Sequence, residues 1–236
     1  MSHRLREKVC IKTRKVYDWV TRQVDVPLIS VSNEALDGKF VCHFDNDEGN
    51  ICDILCQKGI DPSTLSVDCF LSDAEGNKID PIVDHKSLLC QEIKQAHGRP
   101  DVTVTLPNGN ETTLQRVKVL IKGHVVAQIL DAAGREICRS CPIPFATAQS
   151  FLLCAPEGTE LDCHISFVDC DASLICTSDF QQLDVALTLC IEVQMEADVK
   201  LEIEGRFCEP REEILEGILC PVRKFPPQCP EVFPTH

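Results

Sequence analysis

Sixteen cysteines in 236 residues are the side chains with the most chemistry to offer, and their spacing admits three uses: redox exchange, metal ligation and covalent cross-linking. Cys138-Arg139-Ser140-Cys141 has the two-residue spacing of a redox dithiol, with an arginine placed to lower a thiol pKa. Yet Cys141 precedes Pro142 and Ile143 precedes Pro144, and a residue before proline is pushed to extended backbone. The helix N-terminus that activates such a thiol is therefore not expected, and a dithiol oxidoreductase is disfavoured. The same pair, Cys138 and Cys141, could be half of a zinc site, with Cys52/Cys56, Cys163/His164 or Cys170/Cys176 as the other half. No second C-x-x-C stands at conventional spacing, and one tetrahedral site would use only four cysteines. A zinc-stabilised binding module is kept as the alternative, and no cofactor is expected.

Other reactive constellations are missing. The chain has no glycine-rich phosphate loop, no G-x-S-x-G elbow, no H-E-x-x-H and no dinucleotide fingerprint, so no catalytic residue is assigned and the chain is not read as an enzyme. Asp45-Asn46-Asp47-Glu48-Gly49 starts like a calcium loop, but its glycine is one position early and Cys56 stands where the bidentate glutamate belongs. A hairpin tip is the better reading. A net charge of −14 argues against a nucleic-acid or anionic-membrane surface, and no apolar run is long enough to span a membrane. The first 24 residues depart from this, with seven basic against two acidic side chains, or +5, leaving −19 on the rest. Arg4, Arg6, Lys8, Lys12, Arg14 and Lys15 are thus a candidate arm for head-to-tail assembly. The opening residues lack the apolar core of a secretory signal, so the thiols are expected to be made reduced in a cytosol and oxidised later.

The elements that must position these residues are strands. From Val185 to Ile203 every odd position is apolar and most even ones are polar, the period of a half-buried strand. Nineteen residues would run about 60 Å if straight, so a bend or bulge is expected. Val102 to Leu106, a Pro107-Asn108-Gly109-Asn110 turn and a return strand from Val117 to Ile129 read as a hairpin. Acidic-glycine turns recur at 44–51, 71–79 and 130–137. Helical spacing is confined to Ser87–Ala96 and Pro210–Leu219.

The fold class that follows is all-β: an antiparallel β-sandwich with long bent strands, few short helices and an irregular proline-rich C-terminal tail. Its divisions are a basic arm or strand (1–32), a β-rich insertion or small domain (33–100), the sandwich core (101–206) and the tail (207–236). Strand parity sorts the cysteines. Cys190 lies on the polar face with Thr188 and Glu192, Cys163 shares parity with Ile165 and Phe167, and Cys170 and Cys176 share parity with Ala172 and Leu174. Some thiols are core-like, and buried ones are ordinarily inert. Cys190, Cys170, Cys176 and the tail cysteines Cys208, Cys220 and Cys229 are the candidates for disulfides between chains.

At Val117-Lys118-Val119-Leu120-Ile121-Lys122-Gly123-His124-Val125-Val126-Ala127-Gln128-Ile129-Leu130, followed by a turn and Cys141-Pro142-Ile143-Pro144-Phe145, the sequence resembles the SPOCS (spore coat structural) domain of endospore-forming bacteria. Lys15–Val24 and Phe151–Thr159 look like the cysteine-rich morphogenetic coat proteins that carry it. The resemblance spans Val102 to Gly205 and Lys15 to Val31, and leaves out 33–100 and the tail. It implies a non-enzymatic coat or exosporium building block, made in the mother-cell cytoplasm. Its partners would be copies of itself and other coat proteins, with thiols cross-linking once the finished layer is exposed.

Overall fold

The structure, a computed structural model, describes residues 7–44, 49–81, 88–105 and 108–205. Among these, ten strands share one antiparallel sheet: β1 (Glu7–Ser32), β2 (Phe40–Cys42), β3 (Ser66–Ser72), β4 (Leu89–Glu92), β5 (Asp101–Thr105), β6 (Glu111–Leu130), β7 (Glu136–Ser140), β8 (Ile143–Leu153), β9 (Glu160–Cys176) and β10 (Gln181–Gly205). One helix, α1 (Ile51–Gln57), and two 3-10 turns complete the described elements. The sheet runs β1-β10-β9-β3-β6-β7-β2, with β4, β5 and β8 also paired to β6.

Strand β6 is the hub. Along one edge it meets β5, then β4, then β3, and along the other β8, then β7. Val117, Val119, Ile121, Val125, Ala127 and Ile129 along it are wholly buried. Gly123 keeps this alternation because nothing larger fits: a Cβ there would run into Leu88 Cδ2 and lie 2.9 Å from the ring of Phe145, its cross-strand partner. On β10 the odd residues Leu183 to Met195 are buried, as the period-two pattern requires.

One seven-residue helix cannot cover the apolar faces of β6 and β10. Both faces belong to a single hydrophobic cluster, so the sheet packs on itself as a β-sandwich.

The turns follow from local chemistry. Asp131 accepts hydrogen bonds from the N–H groups of Ala133 and Arg135, both at 2.9 Å, while Gly134 takes φ = 75° between β6 and β7. Asp73 does the same for Glu75 and Asn77, with Gly76 at φ = 86°. The expected hairpin tip over 44–51 leads instead into α1. Asn50 caps it by accepting from Cys52 N–H at 3.0 Å, and Ile51, Ile54 and Leu55 form its buried stripe.

The helix expected over Ser87–Ala96 is also corrected. Leu89–Glu92 is strand β4, drawn into pairing by a stretch of β6 edge that would otherwise lack a partner. The second expected helix, Pro210–Leu219, and the tail lie outside the described residues.

The chain divides into two compact units. Val16–Glu196 holds the whole core cluster, and residues 33–100 are part of it. They supply β2, β3, β4 and α1 to the common sheet and core. The described part of the other unit is a ribbon made from the ends of β1 (7–15) and β10 (197–205).

Candidate functional site: paired and unpaired thiols

Three of the four disulfides converge on β9. Cys163 joins Cys90 of β4, Cys170 joins Cys69 of β3, and Cys176 joins Cys52 of α1. Their Cα separations, 5.5 to 5.8 Å, suit a bridge without backbone movement. The fourth, Cys42–Cys138, ties directly opposed residues of β2 and β7. Every cysteine of 33–100 except Cys56 is thereby bonded to the 101–206 region.

Strand β9 can do this because of one extra residue. Its register against β10 passes from Cys190↔Phe167 to Ile191↔Ile165, so Ser166 is bulged out, with its hydroxyl 3.3 Å from the Cys190 carbonyl oxygen. The bulge inverts side-chain parity. Leu161, Cys163 and Ile165 pack on the core before it, and Val168, Cys170, Ala172, Leu174 and Cys176 pack on it afterwards. Phe167 is turned outward and is 55% exposed.

This overturns part of the cysteine assignment. Cys170 and Cys176, expected to link chains, face their own core and are bonded within the chain. Cys138 is wholly buried and bonded to Cys42, so the Cys138/Cys141 half-site for zinc is broken. Each proposed other half also loses a member, because Cys52, Cys163, Cys170 and Cys176 are all oxidised. Among the described residues no group of three or more His, Cys, Asp or Glu is placed to hold a metal ion.

Five described cysteines remain as thiols. Cys10, Cys56 and Cys154 are exposed, and Cys141 and Cys190 are half-buried. Cys190 occupies the outward face of β10 as expected, directly opposite the exposed ring of Phe167. Cys56 sits one helical turn beyond Cys52, on the solvent side of α1. Cys154 follows β8, its N–H donating to Asp18 Oδ2 at 2.8 Å, and Cys141 follows β7, its N–H donating to the Lys39 carbonyl at 2.6 Å. Cys208, Cys220 and Cys229 lie outside the described residues.

The basic arm meets acid within its own chain. Lys8 pairs with Glu202 at 3.0 Å, Lys12 with Asp198 at 2.6 Å, and Arg14 reaches Asp198 at 3.8 Å. Lys12 holds the Asp198 carboxyl below the usual carboxylate range, first by its hydrogen bond and then by its charge, with Arg14 adding to the effect. All these groups are exposed, so the pairs contribute little stability. Arg4 and Arg6 lie outside the described residues.

A cleft of about 650 Å³ opens between the loop following β4 and the loop following β8. At its side Arg99 makes five hydrogen bonds within the chain. Nε and Nη2 clasp the Glu92 carboxylate at 2.8 and 2.7 Å, Nη1 donates to Ala155 O and Thr159 Oγ1, and Nη2 also donates to Thr159 O. All five guanidinium donors are spent on the protein itself. Arg99 therefore clamps two loops and has no donor left for an anionic ligand.

No helix of the described residues is long and apolar enough to cross a membrane. The chain matches no protein-family model, no curated protein and no solved structure.

Proposed function

We propose that this chain is a structural building block that assembles with copies of itself and with other proteins of the spore coat or exosporium, and that disulfides between chains lock the assembly. One observation carries the cross-linking part: four disulfides staple the fold internally, yet Cys10, Cys56 and Cys154 remain as exposed thiols and Cys190 stands on the outward sheet face beside an exposed phenylalanine. Thiols that the fold does not consume, and that solvent reaches, can couple in pairs between chains when an external oxidant such as dissolved oxygen takes up the two electrons and two protons released for each disulfide formed. The coat assignment is supported by the Val117–Phe145 and Phe151–Thr159 resemblance. In that setting the protein is made reduced in the mother-cell cytoplasm and oxidised after deposition.

Non-reducing electrophoresis of the oxidised protein tests this. Wild type should give a ladder of covalent multimers that collapses with reductant. Cys190→Ser should shorten the ladder, as should a Cys208→Ser/Cys220→Ser/Cys229→Ser chain and a Cys10→Ser/Cys56→Ser/Cys154→Ser chain. A full ladder in all three variants would show that these thiols are not the links. Immunogold labelling of sporulating cells tests the location: label confined to the mother-cell cytoplasm after coat completion would remove the coat reading.

A further inference from the structure

Two outward patches within Val16–Glu196 carry opposite charge. On β6, Val117, Val119 and Ile121 are buried, so Arg116, Lys118 and Lys122 point outward, and all three are exposed. Their cross-strand partners on β8 and β4 are Leu152, Ser150, Ala146 and Leu89, which bring no charge, and among the described residues no carboxylate pairs with them. The second patch follows the Ser166 bulge. Val168, Cys170 and Ala172 pack on the core, which turns Asp169 and Asp171 outward; both are exposed, and neither pairs with a cation among the described residues. Asp171 stands directly opposite Asp68 of β3, which is also exposed. Asp68 accepts only from neutral donors, the Cys69 N–H at 2.8 Å and the Gln128 side chain at 3.2 Å. Like charges set side by side on a sheet are destabilising, and an opposite charge relieves them. The chain's own β6 cations are too far to do so. Asp68 pairs with β6 at Gln128, six or more residues from all three, which is at least about 20 Å along the strand.

We infer that the two patches meet between copies of this chain: Arg116 and Lys118 of one copy seat on Asp171 and Asp169 of the next, with Lys122 and Asp68 flanking them. Each pair stands two residues apart on its strand, the same spacing of about 6.7 Å, so two ion pairs form in one register. This contact deepens the self-assembly reading and rests on it, but it uses no thiol. Lys8, Lys12 and Arg14 of the basic arm are engaged within their own chain, so a head-to-tail attraction falls to these sheet faces instead. Because the two patches differ, a docked pair still presents one free patch of each sign, and the contact repeats into a row of copies. At 0.1 M salt the Debye length of about 10 Å screens the net charge of −14 between bodies while charges in contact still attract; at 1 M, where it is about 3 Å, that attraction fades as well.

Sedimentation velocity of the full chain, oxidised and with its free thiols alkylated, tests this without cross-links. At 0.1 M salt the mean mass of wild type should rise with concentration past that of a dimer, and at 1 M it should stay that of a monomer. Asp169→Asn/Asp171→Asn keeps the basic patch alone, and Arg116→Gln/Lys118→Gln keeps the acidic one. All four side chains are exposed, so both variants should keep the wild-type Tm. Each variant by itself should associate about tenfold more weakly, the measure of two ion pairs, while an equimolar mixture should form one-to-one pairs that grow no further. Wild type that stays monomeric at 0.1 M salt would overturn the inference. So would variants that associate as wild type does, or a mixture that stays monomeric. Failure here is separate from failure of the cross-linking reading, which is judged by the covalent ladder of protein with unblocked thiols.

Discussion

Replacing Cys90 and Cys163 together by alanine removes one staple of β9 and has a calculable cost. The covalent loop that this bond closes spans 73 residues. In the chain-entropy treatment a loop of that length destabilises the unfolded chain by about 4.4 kcal/mol. The Cys69–Cys170 bond encloses it, however, and leaves a path of only roughly 28 residues between Cys90 and Cys163, which reduces the effect to about 3.6 kcal/mol. For a chain of this size that is a fall in Tm of roughly 7 to 14 °C.

Calorimetry under non-reducing conditions measures it, alongside peptide mapping that should recover Cys90 bonded to Cys163 in wild type. Under reductant the same substitution should matter much less, because only the packing of two half-buried thiols is then lost. A fall in Tm below about 3 °C in the oxidised protein, or Cys163 recovered with another cysteine, would refute the assigned framework. An equal difference between wild type and variant under both conditions would locate the effect in packing rather than in the covalent bond.

Three further outcomes are expected. Arg99→Ala leaves the Glu92 carboxylate, only 15% exposed, without its cation, and should cost about 3–5 kcal/mol in urea unfolding; Arg99→Lys should recover little, since one ammonium cannot replace a five-donor fork. Gly123→Ala drives a methyl into Leu88 and Phe145 and should destabilise by about 1–3 kcal/mol in the same assay, with an unchanged result showing that the site can relax. Asp73 and Asp131 sit below the usual carboxylate range, the first chiefly through the hydrogen bond from the Asn77 side chain and the second through that from the Arg135 N–H. A depressed folded pKa means stability that is present above the unfolded value near 4 and lost as pH falls through the folded one. Carboxyl NMR titration should therefore give midpoints under the ordinary aspartate value for both, and midpoints at or above it would contradict the turn geometry.

Much of the fold was legible because it rests on local rules. The β10 alternation, the Asp73 and Asp131 turns and the β5–β6 hairpin each depend on residues within a few positions of one another. The errors have equally definite sources. Helix α1 is signalled by Asn50 ahead of Ile51, Ile54 and Leu55, whereas the acidic run before it carries the composition of a turn. Residues 87–96 carry helical spacing, and the open edge of β6 outweighed it. The clamp of Arg99 on Glu92 and Thr159 joins groups 7 and 60 residues apart, and no motif announced it.

The cysteines mark the division most clearly. Composition and spacing alone showed that thiol chemistry matters, that the strands are amphipathic, and that Cys190 belongs to a polar face, because side-chain direction along one strand is a local property. Partners could not be read in the same way. The sequence places Cys163 and Cys170 at opposite parity, and only the bulge at Ser166, set by pairing against β10, turns both toward the core. Which cysteine then lies opposite depends on strand order, since β4, β3 and α1 reach β9 from positions 73 to 124 residues away. Those distances close only when the whole sheet has formed, so tertiary structure decided which thiols are spent inside the fold and which remain outside it.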